Sequence, residues 1–168
     1  SGSTGEPKLI EISQSAALAF AKWGAEQIQL GPGDLVGSTS SLAFDLSSFE
    51  IYSSLGSGAC CQLIDPALAL QPGALAAALQ NTSVFYSVPS TIRLLENAKL
   101  PKLRALISAG DVFPIQSAAK LRANNKCSLH NWYGPTESNV CLAHELREQD
   151  LLLKEVPVGS SAAGAICE

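Results

Sequence analysis

Strand-like and helix-like patterns alternate along this chain about every 20–25 residues, and that rhythm restricts the fold more than any other feature. Parallel strands cannot be joined by a tight turn. They need a crossover, and crossovers lay helices over both faces of the sheet. Ser13 is placed to cap a helix with apolar positions at Ala17, Phe20, Ala21, Trp23 and Ile28, which Gly31-Pro32-Gly33 then stops. Strand patterns fall at 35–40, 59–64, 83–88, 103–108 and 127–131. The 59–64 run is short, apolar and bounded by turn residues, which reads as a buried strand. Helical patterns fall at 45–55, from Pro72 to 79, from Pro89 to about 98, and from Pro114 to 123. The Ala/Leu-rich stretch 67–79 reads as a packed helix and not as a disordered segment. The expected fold class is α/β, a mostly parallel sheet with helices on both faces. No linker or sequence repeat divides 1–168.

Composition narrows the function classes. Hydrophobic residues make up 46% and charged ones 15%, a globular balance that excludes disorder. The net charge is −4, and no basic cluster offers a grip on nucleic acid. No apolar run approaches the length of a membrane span, and the polar, glycine-rich start is no signal peptide. The chain has no Met and opens on Ser1, so an excerpt of a longer protein is expected. Its five cysteines (Cys60, Cys61, Cys127, Cys141 and Cys167) are odd in number and lack CxxC spacing. Small buried thiols in a reduced, cytoplasmic protein are expected, and neither a disulfide framework nor a zinc site. His130 and His144 belong to no ligand motif and read as structural or surface residues.

In open α/β sheets, ligands gather beyond the carboxyl ends of the strands. Three polar clusters occupy such places. Residues 1–8, SGSTGEPK, combine small residues, hydroxyls and Lys8 in a stretch able to wrap an anion, or equally a solvated turn. No GK[ST] is present, so this is not a Walker loop. Residues 44–50 place Asp45 at a helix N-terminus, as a simple N-cap, as a carboxylate for a cationic ligand group, or as both. Residues 131–137, NWYGPTE, offer aromatics for a nucleobase, a tight turn, a hydroxyl, and a carboxylate suited to Mg²⁺; the alternative is an ordinary turn. Gly31, Gly33 and Gly37 miss the dinucleotide spacing and follow a helix, the wrong order for that fingerprint.

Taken together, SGSTGEPK, FDLSSFEIY and NWYGPTES resemble three motifs of the adenylate-forming (AMP-binding) superfamily, in the same order and spacing. The likeness covers nearly the whole chain but only the central part of a complete amino-acid adenylation domain. It implies a partial core from the N-terminal lobe, with a phosphate loop at 1–8, an amino-acid pocket segment at 44–52 and an adenine/Mg²⁺ motif at 131–137. The implied reaction is attack of a carboxylate on the α-phosphorus of ATP, releasing pyrophosphate and leaving an acyl-adenylate. The product would pass to a carrier protein's phosphopantetheine thiol, as in nonribosomal peptide synthesis. By resemblance, Ser3, Thr4, Gly5 and Lys8 wrap the β- and γ-phosphates. Ala109 and Gly110 contact adenine, Asn131, Tyr133 and Gly134 surround the base, Thr136 touches phosphate, and Glu137 binds Mg²⁺. Lys8, Thr136 and Glu137 are the implied catalytic groups.

The amino-acid-activating branch carries an aspartate at the position of Asp45, where it pairs with the substrate's α-ammonium. The implied pocket is Asp45, Leu46, Phe49, Tyr86, Ile107, Ala109, Trp132, Val140 and Cys141. Apart from Asp45 it has no charge, so a small or medium apolar side chain is expected. The set resembles that of stand-alone, carrier-protein-loading, proline-activating domains, except that Trp132 replaces a smaller aliphatic residue. Leu9 stands where the family usually has Gly, and Gln14 where it often has His. The ribose-binding aspartate, hinge and mobile lobe with its lysine are expected beyond Glu168, so the fragment alone is expected to be inactive. Two other readings compete: an acyl-CoA synthetase or other acid–thiol ligase, against which Asp45 argues, and a degenerate, non-catalytic module.

Overall fold

A computed structural model describes residues 9–162, 164 and 165. The α/β architecture is as expected. Strands β1 (Leu35–Ser38), β2 (Cys60–Leu63), β3 (Val84–Ser87), β4 (Ala105–Ala109), β5 (Ser128–Tyr133), β6 (Leu142–Glu145) and β7 (Ser160–Ser161) form one sheet in the order β2-β1-β3-β4-β5-β6-β7. The pairs from β2 through β5 are parallel; β6 and β7 add antiparallel strands at one edge.

Ser13 caps α1 (Gln14–Gln27), its Oγ accepting from the Ala16 amide at 3.1 Å. After β1 comes an irregular helix: α2 (Leu46–Ser48), a π turn (Phe49–Ser53) and α3 (Ser54–Gly56). The wider π turn brings Phe49, Glu50 and Ser53 all to the buried side. Pro72 and Pro89 open α4 (Pro72–Ala78) and α5 (Pro89–Arg93), where a missing N–H costs nothing. Helix α6 (Ile115–Asn124) completes the set.

Each central strand is buried on both faces, and its alternating side chains feed two cores. Phe85, Leu106 and Leu129 pack with Leu75, Leu79, Ile92 and Leu121 from α4, α5 and α6. Val84, Tyr86, Ile107, Ala109 and Trp132 pack with Phe20 of α1 and Phe49 of the π turn. The implied substrate pocket thus belongs to one core alone.

Three expectations need correction. The strand in 59–64 is not a buried one: β2 lies at the edge of the described sheet beside β1, Cys60 is exposed and Leu63 is 79% exposed, and only the flanking Ala59 and Ile64 are buried. Of the four cysteines described, Cys127 alone is buried. The helix opened by Pro89 ends at Arg93 and relaxes into turns through residue 97. Strands β6 and β7 had no sequence signal; they are short, and β6 is only half-buried, which leaves little hydrophobic alternation to read.

The strand order places the site. The chain leaves β1 toward β2, then returns past β1 to β3 and continues the other way. Connections therefore diverge between β1 and β3, and divergence opens a crevice at their carboxyl ends.

Candidate functional site

Asp45 stands at the mouth of that crevice, just before α2. It does not cap the helix: its backbone is already helical (φ −64°, ψ −24°), and its side chain makes no cap hydrogen bond. Among the described residues its carboxylate has no hydrogen-bond or ion-pair partner, which leaves it open to a ligand cation. The Asn139 side-chain amide donates to its backbone carbonyl at 3.4 Å, tying the 134–139 loop to this helix start. Asn139 adopts a left-handed conformation (φ 61°), which asparagine tolerates better than most residues.

The loop after β5 crosses close over its own return. A Cβ on Gly134 would sit 2.2 Å from the Asn139 carbonyl oxygen, so only glycine fits. At the end of β4, Gly110 takes φ +87° and turns the chain away from the crevice.

Three adjoining cavities follow from these turns. The central one, about 310 Å³, is lined by Asp45, Leu46, Tyr86, Ala109, Gly110, Gly134 and Thr136, together with Phe44, Val88, Pro135 and Asn139. Motifs nearly a hundred residues apart thus share one wall. A second cavity, about 340 Å³, meets the first at Gly110 and Gly134 and is lined also by Asn131, Trp132 and Tyr133. The buried Asn131 donates to the Pro157 carbonyl at 2.9 Å, while the Tyr133 ring is 54% exposed. A third, about 460 Å³, shares Asp45 and Thr136 with the first and adds Glu137. Thr136 and Glu137 are exposed, and their side chains have no partner among the described residues. A hydroxyl and a carboxylate at such a site offer hard oxygen ligands that suit Mg²⁺ shared with phosphate.

The rest of the implied pocket is packed shut. Phe49, Tyr86 and Trp132 stack pairwise with ring centroids 5.2–5.5 Å apart, and Trp23 of α1 lies 4.9 Å from Trp132. Phe49, Ile107 and Val140 are buried and line none of the three cavities. Cys141 also lies outside them, its Sγ 3.5 Å from the Tyr133 carbonyl oxygen. Ser3, Thr4, Gly5 and Lys8 lie outside the described residues.

Sequence reading missed Glu50. Its carboxyl is fully buried, and among the described residues no cation pairs with it: Ser38 Oγ donates to Oε2 at 2.7 Å, Ser40 Oγ to Oε1 at 2.9 Å, and the Thr39 amide to Oε1 at 3.4 Å. Burial pushes its pKa up, against the opposing pull of these donors. Burial also pushes the Tyr86 phenol well up, helped by the Asp45 and Glu50 carboxylates. A glutamate amid apolar residues after a serine-rich strand end was the available signal.

The family described as AMP-binding enzyme matches residues 1–166. The chain is 38% identical to the L-proline--[L-prolyl-carrier protein] ligase of Streptomyces coelicolor, over 98% of this chain and 33% of that protein. It is 32% identical to the D-alanine--D-alanyl carrier protein ligase of Bacillus cereus, over 95% of this chain and 34% of that protein. Among solved structures, it is similar to the Vibrio cholerae adenylation domain AlmE in complex with glycyl-adenosine-5'-phosphate. The TM-score is 0.87 at 30% identity, covering 96% of this chain and 32% of that one. The chain therefore spans about a third of the length of the curated relatives it matches.

Proposed function

The chain belongs to the AMP-binding enzyme family, and from that premise we propose that its full-length protein activates an amino acid with ATP and loads it onto a carrier protein. The observation that carries this reading is the Asp45 carboxylate, which has no partner among the described residues and shares one cavity with Gly110, Gly134 and Thr136. The amino acid's α-ammonium sits against Asp45, and its carboxylate points toward the nucleotide. That carboxylate attacks the α-phosphorus, the bond to the pyrophosphate oxygen breaks, and aminoacyl-AMP forms. A carrier's phosphopantetheine thiol then displaces AMP, giving the thioester.

Both reactants are anions, so catalysis consists mainly of holding them together and stabilising phosphate charge. Tyr133 and Asn131 border the adenine end with Ala109 and Gly110, and Thr136 meets phosphate. Glu137 would hold Mg²⁺, which supplies positive charge between phosphate oxygens when bound. Ser3, Thr4, Gly5 and Lys8 are assigned to the β- and γ-phosphates.

The substrate's side chain is small and apolar, with proline at the upper end of size. Trp132 is 1% exposed and fills the depth of the pocket against Phe49 and Tyr86, and no charged group stands there. The relatives named for proline, D-alanine and glycyl-adenylate all handle small amino acids. Among the described residues no helix is long and apolar enough to cross a membrane, and we assign the protein to the cytoplasm, where ATP is supplied. The 168-residue chain alone is not expected to catalyse, being a third of its relatives' length.

ATP–pyrophosphate exchange by the full-length protein against a panel of amino and carboxylic acids tests this reading. Exchange with glycine, alanine or proline is expected. A preference for a charged amino acid or a long-chain acid overturns it.

A further inference from the structure

Glu50 has an unusual place for a carboxylate. It lies in the π turn, five residues after Asp45, on the side of the helix turned into the sheet. Its partners are three consecutive residues, Ser38, Thr39 and Ser40, at the carboxyl end of β1. Thr39 in turn shares a hydrogen bond with Ser87, at the end of β3, through hydroxyls 3.4 Å apart. The Glu50 carbonyl accepts from Ser54 Oγ at 2.5 Å, which fastens the next turn. One buried carboxylate therefore ties the π turn to the end of β1, and Thr39 links that strand end onward to β3.

Among the described residues, no other side-chain hydrogen bond ties the π turn to the end of β1. Asp45 is held by its own side chain to nothing among the described residues, and the Asn139 contact to its carbonyl is long. Around Glu50, Phe49 and Tyr86 pack edge-on at 5.2 Å, so a shift of the π turn would move the pocket wall with it. Three donors converge on this one carboxyl from consecutive residues, a geometry that suits a fixed hinge pin. Burying a carboxylate is costly, and replacing it with an apolar residue would serve packing as well.

We infer that Glu50 is the positioning residue of the amino-acid site: by clamping the π turn to the end of β1, it fixes the direction in which Asp45 presents its carboxylate to the substrate's α-ammonium. This rests on the amino-acid-activating reading above. The role is separable from general stability because the residues assigned to adenine, Ala109, Gly110, Asn131 and Tyr133, lie on β4, β5 and the turn after β4, which the Glu50 side chain does not touch.

The test is ATP–pyrophosphate exchange by the full-length protein carrying Glu50→Ala or Glu50→Gln, with KM measured separately for amino acid and for ATP. Glu50→Ala is expected to raise the amino-acid KM about tenfold or more while leaving the ATP KM within about twofold. Glu50→Gln keeps an acceptor for Thr39 and Ser40 and is expected to recover most of that loss. If Glu50→Ala does not accumulate as folded protein, Ser40→Ala removes one clamp donor from a half-buried position and is expected to shift the same KM less. An unchanged amino-acid KM in the folded variants overturns the inference, as does a parallel rise in both KM values. No amino-acid-dependent exchange by the unaltered protein overturns the activation reading itself.

Discussion

Arg104 grips Asp34 with two parallel hydrogen bonds, Nε to Oδ1 at 2.7 Å and Nη2 to Oδ2 at 2.6 Å. The same guanidinium donates to the Ile28 and Gln29 carbonyls, and Ser83 Oγ donates to Asp34 at 2.7 Å. This joins the end of α1, the start of β1 and the start of β4, at the end of the sheet opposite the crevice.

The Arg104 partner lowers the Asp34 pKa from 3.8 to about 2. A carboxyl depressed in the folded state contributes stability above its unfolded pKa, and that contribution is lost as pH falls toward the folded value. Arg104→Leu is expected to destabilise the full-length protein by about 2 kcal/mol at pH 7, with partial exposure of the arginine limiting the effect. The deficit should shrink as pH falls from about 4 to about 2, measured by denaturant unfolding. A difference constant across that range contradicts the assignment.

Gly134→Ala should damage the nucleotide end of the groove. The added methyl would meet the Asn139 carbonyl oxygen at 2.2 Å, so the loop must open and carry Thr136 with it. A rise of about tenfold or more in the ATP KM is expected, with a smaller effect on the amino-acid KM. Kinetics indistinguishable from the unaltered protein would show that the close crossing has no role in binding.

Asp45→Asn removes the charge and keeps the shape. The amino-acid KM is expected to rise about 100-fold, since an ammonium left without its carboxylate costs about 2–5 kcal/mol when the pair is closed off from water. Binding of a non-hydrolysable ATP analogue, followed by calorimetry, should be unchanged within a few-fold. Equal loss of both ligands would place Asp45 in scaffold maintenance.

Trp132→Leu should deepen the pocket. Exchange rates with proline, valine and leucine are expected to rise relative to glycine by about tenfold, at a stability cost of about 2–4 kcal/mol from the emptied space. An unchanged ranking of substrates would mean that another wall sets their size.

The sheet was legible because β3 and β4 are buried on both faces and read as mostly apolar runs, while β5, with His130 and Asn131 in it, was marked by the turn that follows. The edge strand β2 misled because its Cys-Cys-Gln-Leu run has the same composition, while only pairing reveals that Leu63 faces out. The gathering of Asp45, Tyr86, Gly110 and Thr136 around one cavity agrees with the motif spacing. The closure of Phe49, Ile107 and Val140 behind Trp132 was not legible, because it depends on ring packing between α1, the π turn and β5. Glu50 stayed hidden because its partners are hydroxyls in no recognisable motif.

The divergence of the chain between β1 and β3 separates two kinds of inheritance. Asp45 and Tyr86 hang from the strands that bound the fork, whereas Tyr133, Gly134 and Thr136 hang from β5, two places further along the sheet than β3. On the proposed reading, changes at Asp45 or Tyr86 act on the amino-acid end and changes after Tyr133 on the nucleotide end, with Trp132 of β5 as the wall between them. On that reading, one scaffold can drift among small substrates while ATP remains the common reactant.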